Sequence, residues 1–82
     1  MDEIEAQIMS IFESAESGLE VSQVVKEMES RYHTQYNAKR IRHKMDSLCD
    51  FKYLTKETYR FDGMQGPDRY LYRMHHSTKE EA

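Results

Sequence analysis

The sequence predicts a small α+β domain, mainly α, in which three helices precede a hairpin of two or three short strands. Three observations carry that prediction. Apolar residues recur at three- and four-residue spacing up to about position 50. The period then shifts to β-rich runs, and a stretch holding two glycines and the only proline separates them. Eighty-two residues allow one small core and no second layer, so any function has to sit on the surface.

The first helix covers about residues 2–15. Ile4, Ile8, Ile11, Phe12 and Ala15 fall on one stripe, and Asp2, Glu3 and Glu5 occupy the first turn, where the helix dipole favours anions. Ser14 to Gly18 supplies the stop, Gly18 being free to take the left-handed conformation that ends helices. Leu19 is a short extended link. A second helix over about 21–31 is marked by Val21, Val24, Val25 and Met28, and at that length it depends on packing. Arg31 to Tyr36 reads as a polar turn carrying two tyrosines.

The third helix, NAKRIRHKMDSLCD over 37–50, combines helical periodicity with concentrated positive charge. Ala38, Ile41, Met45 and Leu48 form its buried stripe. At about 100° per residue, Lys39, Arg40, His43, Ser47 and Asp50 lie opposite, with Arg42 and Lys44 on the flanks. Asn37 is the N-cap. Lys39 and Arg40 oppose the dipole in the first turn, a cost to the isolated helix that becomes an advantage when an anion docks near its N-terminus.

After Phe51, LTKETYRF and RYLYRM are strands of a hairpin spanning about 54–74, joined by a loop of roughly six to eight residues. Two strands alone are marginal in water, so the hairpin packs on the helices through alternate residues such as Leu54, Tyr59, Phe61, Tyr70 and Tyr72. The inward parity stays open, because tyrosines and Leu71 occupy both faces of the second strand. Residues 75–82 are polar and aperiodic and read as a flexible tail, leaving 1–74 as one folded domain.

Charge narrows the function. The net value of −3 excludes a globally basic nucleic-acid binder. Residues 1–36, however, hold eight acidic against two basic side chains, and residues 37–74 hold nine basic against five acidic. The chain is therefore a dipole in sequence, with a basic half suited to an anionic partner and an acidic half that limits non-specific attraction or faces a protein. A single cysteine, Cys49, allows no internal disulfide, which fits a reducing compartment. No apolar run approaches the ~18 residues of a membrane span, so the expected location is cytoplasmic, or nuclear in a eukaryote.

This element order resembles the winged helix-turn-helix superfamily. The likeness covers about residues 4–74 and rests on four features: the order itself, the GLEVSQVVKEM stretch, the Ile41, Met45, Leu48 spacing, and KYLTKE leading into a wing. The turn at Arg31 to Tyr36 is longer than the usual connection, and the overall charge is acidic. The resemblance implies that the third helix enters a DNA major groove and that the wing lies over a neighbouring backbone or minor groove. It equally covers members that bind proteins and no DNA.

On the DNA reading, Lys39, Arg40 and His43 point into the groove, with Arg40 the candidate for a bidentate contact to guanine. Tyr36, Asn37, Arg42 and Lys44 hold phosphates and set register. Arg60, Gln65 and Arg69 flank or occupy the wing, whose glycines permit close approach to a phosphate. The plainer alternatives are a solvated basic face and a hairpin edge protected by charge. The partner on this reading is double-stranded DNA, bound by a homodimer or with a second protein, since one domain covers a short site.

Other chemistry has weak support in the residues. His33, His43, His75 and His76 lack metal-ligand spacing, and Cys49 reads as a packing residue rather than a nucleophile. No phosphate loop or nucleophile elbow occurs. The expectation is no enzyme, cofactor, small-molecule substrate or membrane partner. The competing reading is a protein-docking winged helix that uses its acidic helices or its wing.

Overall fold

Each helix begins where a side chain closes its first turn, and these caps set the element boundaries. The computed structural model describes residues 1–59, 63, 66 and 69–75. In α1 (Glu3–Ser14) the Asp2 N–H donates to Glu5 Oε1 at 2.9 Å while the Glu5 N–H donates to Asp2 Oδ1 at 2.8 Å, a reciprocal capping box. In α2 (Val21–Tyr32) the Glu20 N–H donates to Gln23 Oε1 at 2.8 Å. In α3 (Ala38–Asp50) the Lys39 N–H donates to Asn37 Oδ1 at 2.7 Å, so Asn37 is the N-cap expected from sequence. The α2 helix stops at His33, a non-glycine residue in the left-handed region with φ 56°.

Gly18 has a different task from the one expected. α1 already ends at Ala15 in an extended conformation, and Gly18 is not among the residues with positive φ. Its value lies in what it lacks: a Cβ there would stand 2.6 Å from Leu71 Cγ and 3.1 Å from the Tyr72 carbonyl oxygen. Close approach of a later strand, not helix termination, requires glycine at this position.

That later strand is β2 (Arg69–Met74), which pairs antiparallel with β1 (Leu54–Tyr59) from Leu54↔Met74 to Tyr59↔Arg69. Leu19 adds a third, one-residue strand. Its N–H donates to the Tyr72 carbonyl at 2.8 Å and its carbonyl accepts from the Tyr72 N–H at 2.9 Å. The register resolves the parity left open by sequence, because paired residues share a face. Leu54, Lys56, Thr58, Tyr70, Tyr72 and Met74 lie on one face; Thr55, Glu57, Tyr59, Arg69, Leu71 and Arg73 lie on the other.

The core is built from Ile8, Ile11 and Phe12 of α1, Val24 and Met28 of α2, Ile41, Met45 and Leu48 of α3, and Leu54 and Tyr72 of the hairpin. Four expectations for packing change. Ala38 is exposed, because the first turn of α3 overhangs a cleft shared with the hairpin instead of facing the core. Tyr70, expected to pack inward, is 42% exposed on that same cleft. Tyr59, expected inward with Leu54 and Tyr72, lies on the opposite face, where its hydroxyl donates to Glu20. Tyr32 and Tyr36 are half-buried against the core, although the turn beside them is polar. Phe61 lies outside the described residues. So does the tail expected over 75–82 beyond His75, whose N–H donates to the Tyr53 carbonyl at 3.0 Å.

Candidate nucleic-acid interface

The buried stripe of α3 dictates which of its side chains reach solvent. With Ile41, Met45 and Leu48 facing the core, Lys39, Arg40, Arg42 and His43 are all exposed along the N-terminal half of the helix. Among the described residues, no carboxylate pairs with any of these four. Arg40 stacks its guanidinium over the Tyr36 ring, 5.7 Å from the centroid. A planar guanidinium held on an aromatic face has fewer orientations to lose when it meets a base edge. Asn37 spends its side-chain oxygen on the cap, which leaves its amide NH₂ outward as a donor.

Lys44 is placed differently. It is half-buried and pairs with Asp2 at the start of α1, and that hydrogen bond holds the Asp2 carboxyl below its usual range. The contact ties α3 to α1 across 42 positions of sequence. Of the two flank cations named from the helical wheel, only Arg42 is unpaired among the described residues.

Arg42 instead faces the hairpin. Together with Ala38 it forms one wall of a cleft of about 350 Å³, whose other walls are Val21 and Ser22 of α2 and Tyr70 and Tyr72 of β2. The hairpin is braced on both faces by carboxylates. On the face toward α3, Lys56 Nζ reaches Asp46 Oδ1 at 3.0 Å, and the Tyr72 hydroxyl donates to the same oxygen at 2.7 Å. Burial and this hydrogen bond push the Tyr72 phenol far above its ordinary pKa. Lys56 also lies over the Tyr70 ring, 4.6 Å from the centroid. On the opposite face, Glu20 accepts from the Tyr59 hydroxyl and from the Arg69 guanidinium.

Arg69, expected as a wing contact to phosphate, is therefore already ion-paired, although half of its side chain stays exposed. Arg60 and Gln65 lie outside the described residues. Gly63 and Gly66 in the loop between the strands have φ of +83° and +91°, a backbone that favours glycine. The pKa of the Cys49 thiol is pushed up by burial and by Asp46, which disfavours the thiolate.

Sequence reasoning missed Glu20 and Asp46. Glutamate is not a preferred N-cap, and nothing local to Glu20 announces partners 39 and 49 residues away. The one available signal was the Glu20-to-Gln23 spacing at the start of α2, which matches a capping box.

No protein-family profile matches the chain, and no curated protein matches it by sequence. Its structure is similar to the crystal structure of Bacillus subtilis PadR in complex with operator DNA, with a TM-score of 0.73 at 16% identity. The match covers 99% of this chain, which spans 45% of that PadR chain. The fold is a winged helix: α1 to α3 form the helical body, and β1 and β2 form the wing.

Proposed function

We propose that this protein is a DNA-binding transcriptional regulator of bacterial, phage or archaeal-virus type, which places α3 in the major groove of duplex DNA and its wing over the adjoining backbone. The observation that carries the reading is the exposed set Lys39, Arg40 and His43 on the outer side of α3, with Arg42 beside the wing, all unpaired with any described carboxylate. Likeness of fold to a PadR bound to operator DNA supports it. On this reading Arg40, Lys39 and His43 contact base edges, while Tyr36, Asn37, Arg42, Lys44 and Arg69 contact or position phosphates. Arg60 and Gln65 extend the same role along the wing. A single domain covers a short site, so the active form is a dimer or a complex with a second protein, acting in the cytoplasm.

Affinity for mixed-sequence duplex DNA at low and moderate salt tests the reading. Binding through several phosphates weakens steeply as salt rises, by about 10³–10⁵ between 50 and 200 mM for six to ten contacts. Absence of binding at low salt overturns it. One observation favours a second reading, docking on a protein. Met1, Phe51 and Tyr53 are 64, 69 and 48% exposed and line a small cleft over Leu48, at the opposite end of α3 from its cations. Association through that surface would tolerate salt, which separates the two readings in one titration.

A further inference from the structure

Along its described residues, the hairpin has little apolar packing on the body. After Leu54, residues Thr55 to Thr58 of β1 are all exposed, and among the described residues of the hairpin only Leu54 and Tyr72 are fully buried. The rung formed by Tyr59 and Arg69 meets the Glu20 carboxylate instead. Tyr59 and Arg69 pair across that rung, and both donate to Glu20, with the Arg69 guanidinium 5.9 Å from the centre of the Tyr59 ring.

Glu20 is well placed to act as an anchor. It follows Leu19, which is bridged to Tyr72, and precedes α2, where its N–H is held by Gln23. Its backbone is thus fixed on both sides. The Glu20 side chain is only 17% exposed, whereas that of Arg69 is 51% exposed. Guanidinium carries five donors, so a carboxylate on one edge leaves others pointing outward for a phosphate.

Resting on the DNA-binding reading above, we propose that Glu20 is a positioning residue for DNA recognition: by holding Tyr59 and Arg69 together, it fixes the wing at one angle to α3. A wing so fixed delivers Arg69 to a defined phosphate and thereby sets where Arg40 and Lys39 meet the bases. A merely masking carboxylate would do something else. It would lower affinity for every sequence equally and leave discrimination unchanged.

Two variants separate these roles. Glu20→Gln removes the charge, and Tyr59→Phe removes one tether with no change of charge. For each, affinity is measured for a duplex selected from a randomised pool and for a mixed-sequence duplex of equal length, alongside amide exchange in the wing. Both variants are expected to lower the ratio of selected to mixed affinity by about fivefold, the scale of one partly exposed charge-assisted hydrogen bond. Wing amides such as those of Tyr59 and Leu71 are expected to exchange faster. Tyr59→Phe keeps the salt slope of the wild type, because no phosphate contact is lost. An unchanged ratio in both variants overturns the proposal, as does unchanged exchange. If Glu20→Gln instead tightens both duplexes equally, Glu20 is a mask and the proposal is again overturned. Failure of the wild type to bind either duplex is a separate result and removes the DNA-binding reading itself.

Discussion

At the scale of single residues, exposure and partnership decide what each cation can do. Arg40 is exposed, free of described carboxylates and stacked on Tyr36, while Arg69 is shared with Glu20. On the DNA reading, Arg40→Ala should cost about 1–3 kcal/mol on a selected site and relax preference at one base pair. Arg69→Ala should weaken binding to every duplex and, with the phosphate register lost, also lower the ratio of selected to mixed affinity, without relaxing preference at any one base pair. Titration of matched and single-mismatch duplexes checks both, and equal small losses would mean charge attraction without readout. The cationic row was legible in sequence because five of the six residues from Lys39 to Lys44 are basic or can become so, and the apolar stripe fixed their direction. Gly18 was not legible for the reason that matters, since the atoms that exclude a side chain there belong to Leu71 and Tyr72. Gly18→Ala should destabilise by roughly 1–3 kcal/mol, because Leu71 has to move and the Tyr72 carbonyl blocks the alternative. Denaturant unfolding measures this, and loss below a few tenths of a kcal/mol would show that Leu71 swings aside freely.

At the scale of elements, the three helices could be read to within one or two residues because each has an apolar stripe, and α3 also announced its cap at Asn37; the caps of α1 and α2 emerged only in the structure. Asp2, Glu20 and Asn37 stand at N-caps. Leu48→Ala should cost about 2–5 kcal/mol by opening a cavity where α3 meets the core, with DNA contacts unaltered in the folded fraction. The hairpin was legible as a pair of strands but not as a placed object. Its faces carry similar residues, and its orientation depends on Leu19, Asp46 and Glu20, each remote in sequence. The Glu20 brace has a pH signature. The hydrogen bonds from Tyr59 and Arg69 lower the Glu20 pKa from its ordinary 4.5, so in this window the folded state binds fewer protons than the unfolded state. Stability from Glu20 is complete above that ordinary value and is lost as pH falls through the lowered one. Unfolding midpoints measured from neutral pH downward should fall less steeply in Glu20→Gln than in the wild type. Parallel curves would place the carboxylate outside the folding balance.

At the scale of the whole molecule, the charge dipole separates long-range from contact effects. Net charges of −6 over residues 1–36 and +4 over 37–74 differ by ten units, because eight acidic side chains oppose two basic and nine basic oppose five acidic. Asp2 meets α3 directly through Lys44, but the rest of α1 runs away from that contact. At 1.5 Å per residue, Glu13 stands about 16 Å along the axis from Asp2, and exposed Glu16 lies beyond the helix end. Neither carboxylate pairs with a described cation of the α3 row, so on the DNA reading both act on a DNA backbone through the field. The Debye length is about 30 Å at 0.01 M salt and about 8 Å at 0.15 M, so their influence spans the molecule in one condition and not in the other. The double variant Glu13→Gln, Glu16→Gln should therefore raise affinity for mixed duplex DNA at low salt and match the wild type at physiological salt. Arg40→Ala should instead lose affinity for its selected site in both conditions, because a contact to a base edge is not screened away. Salt titrations of the two variants side by side decide the matter. If the Glu13 and Glu16 variant kept its advantage at high salt, those carboxylates would have to touch the DNA or a partner, and the acidic half would be an interface in its own right.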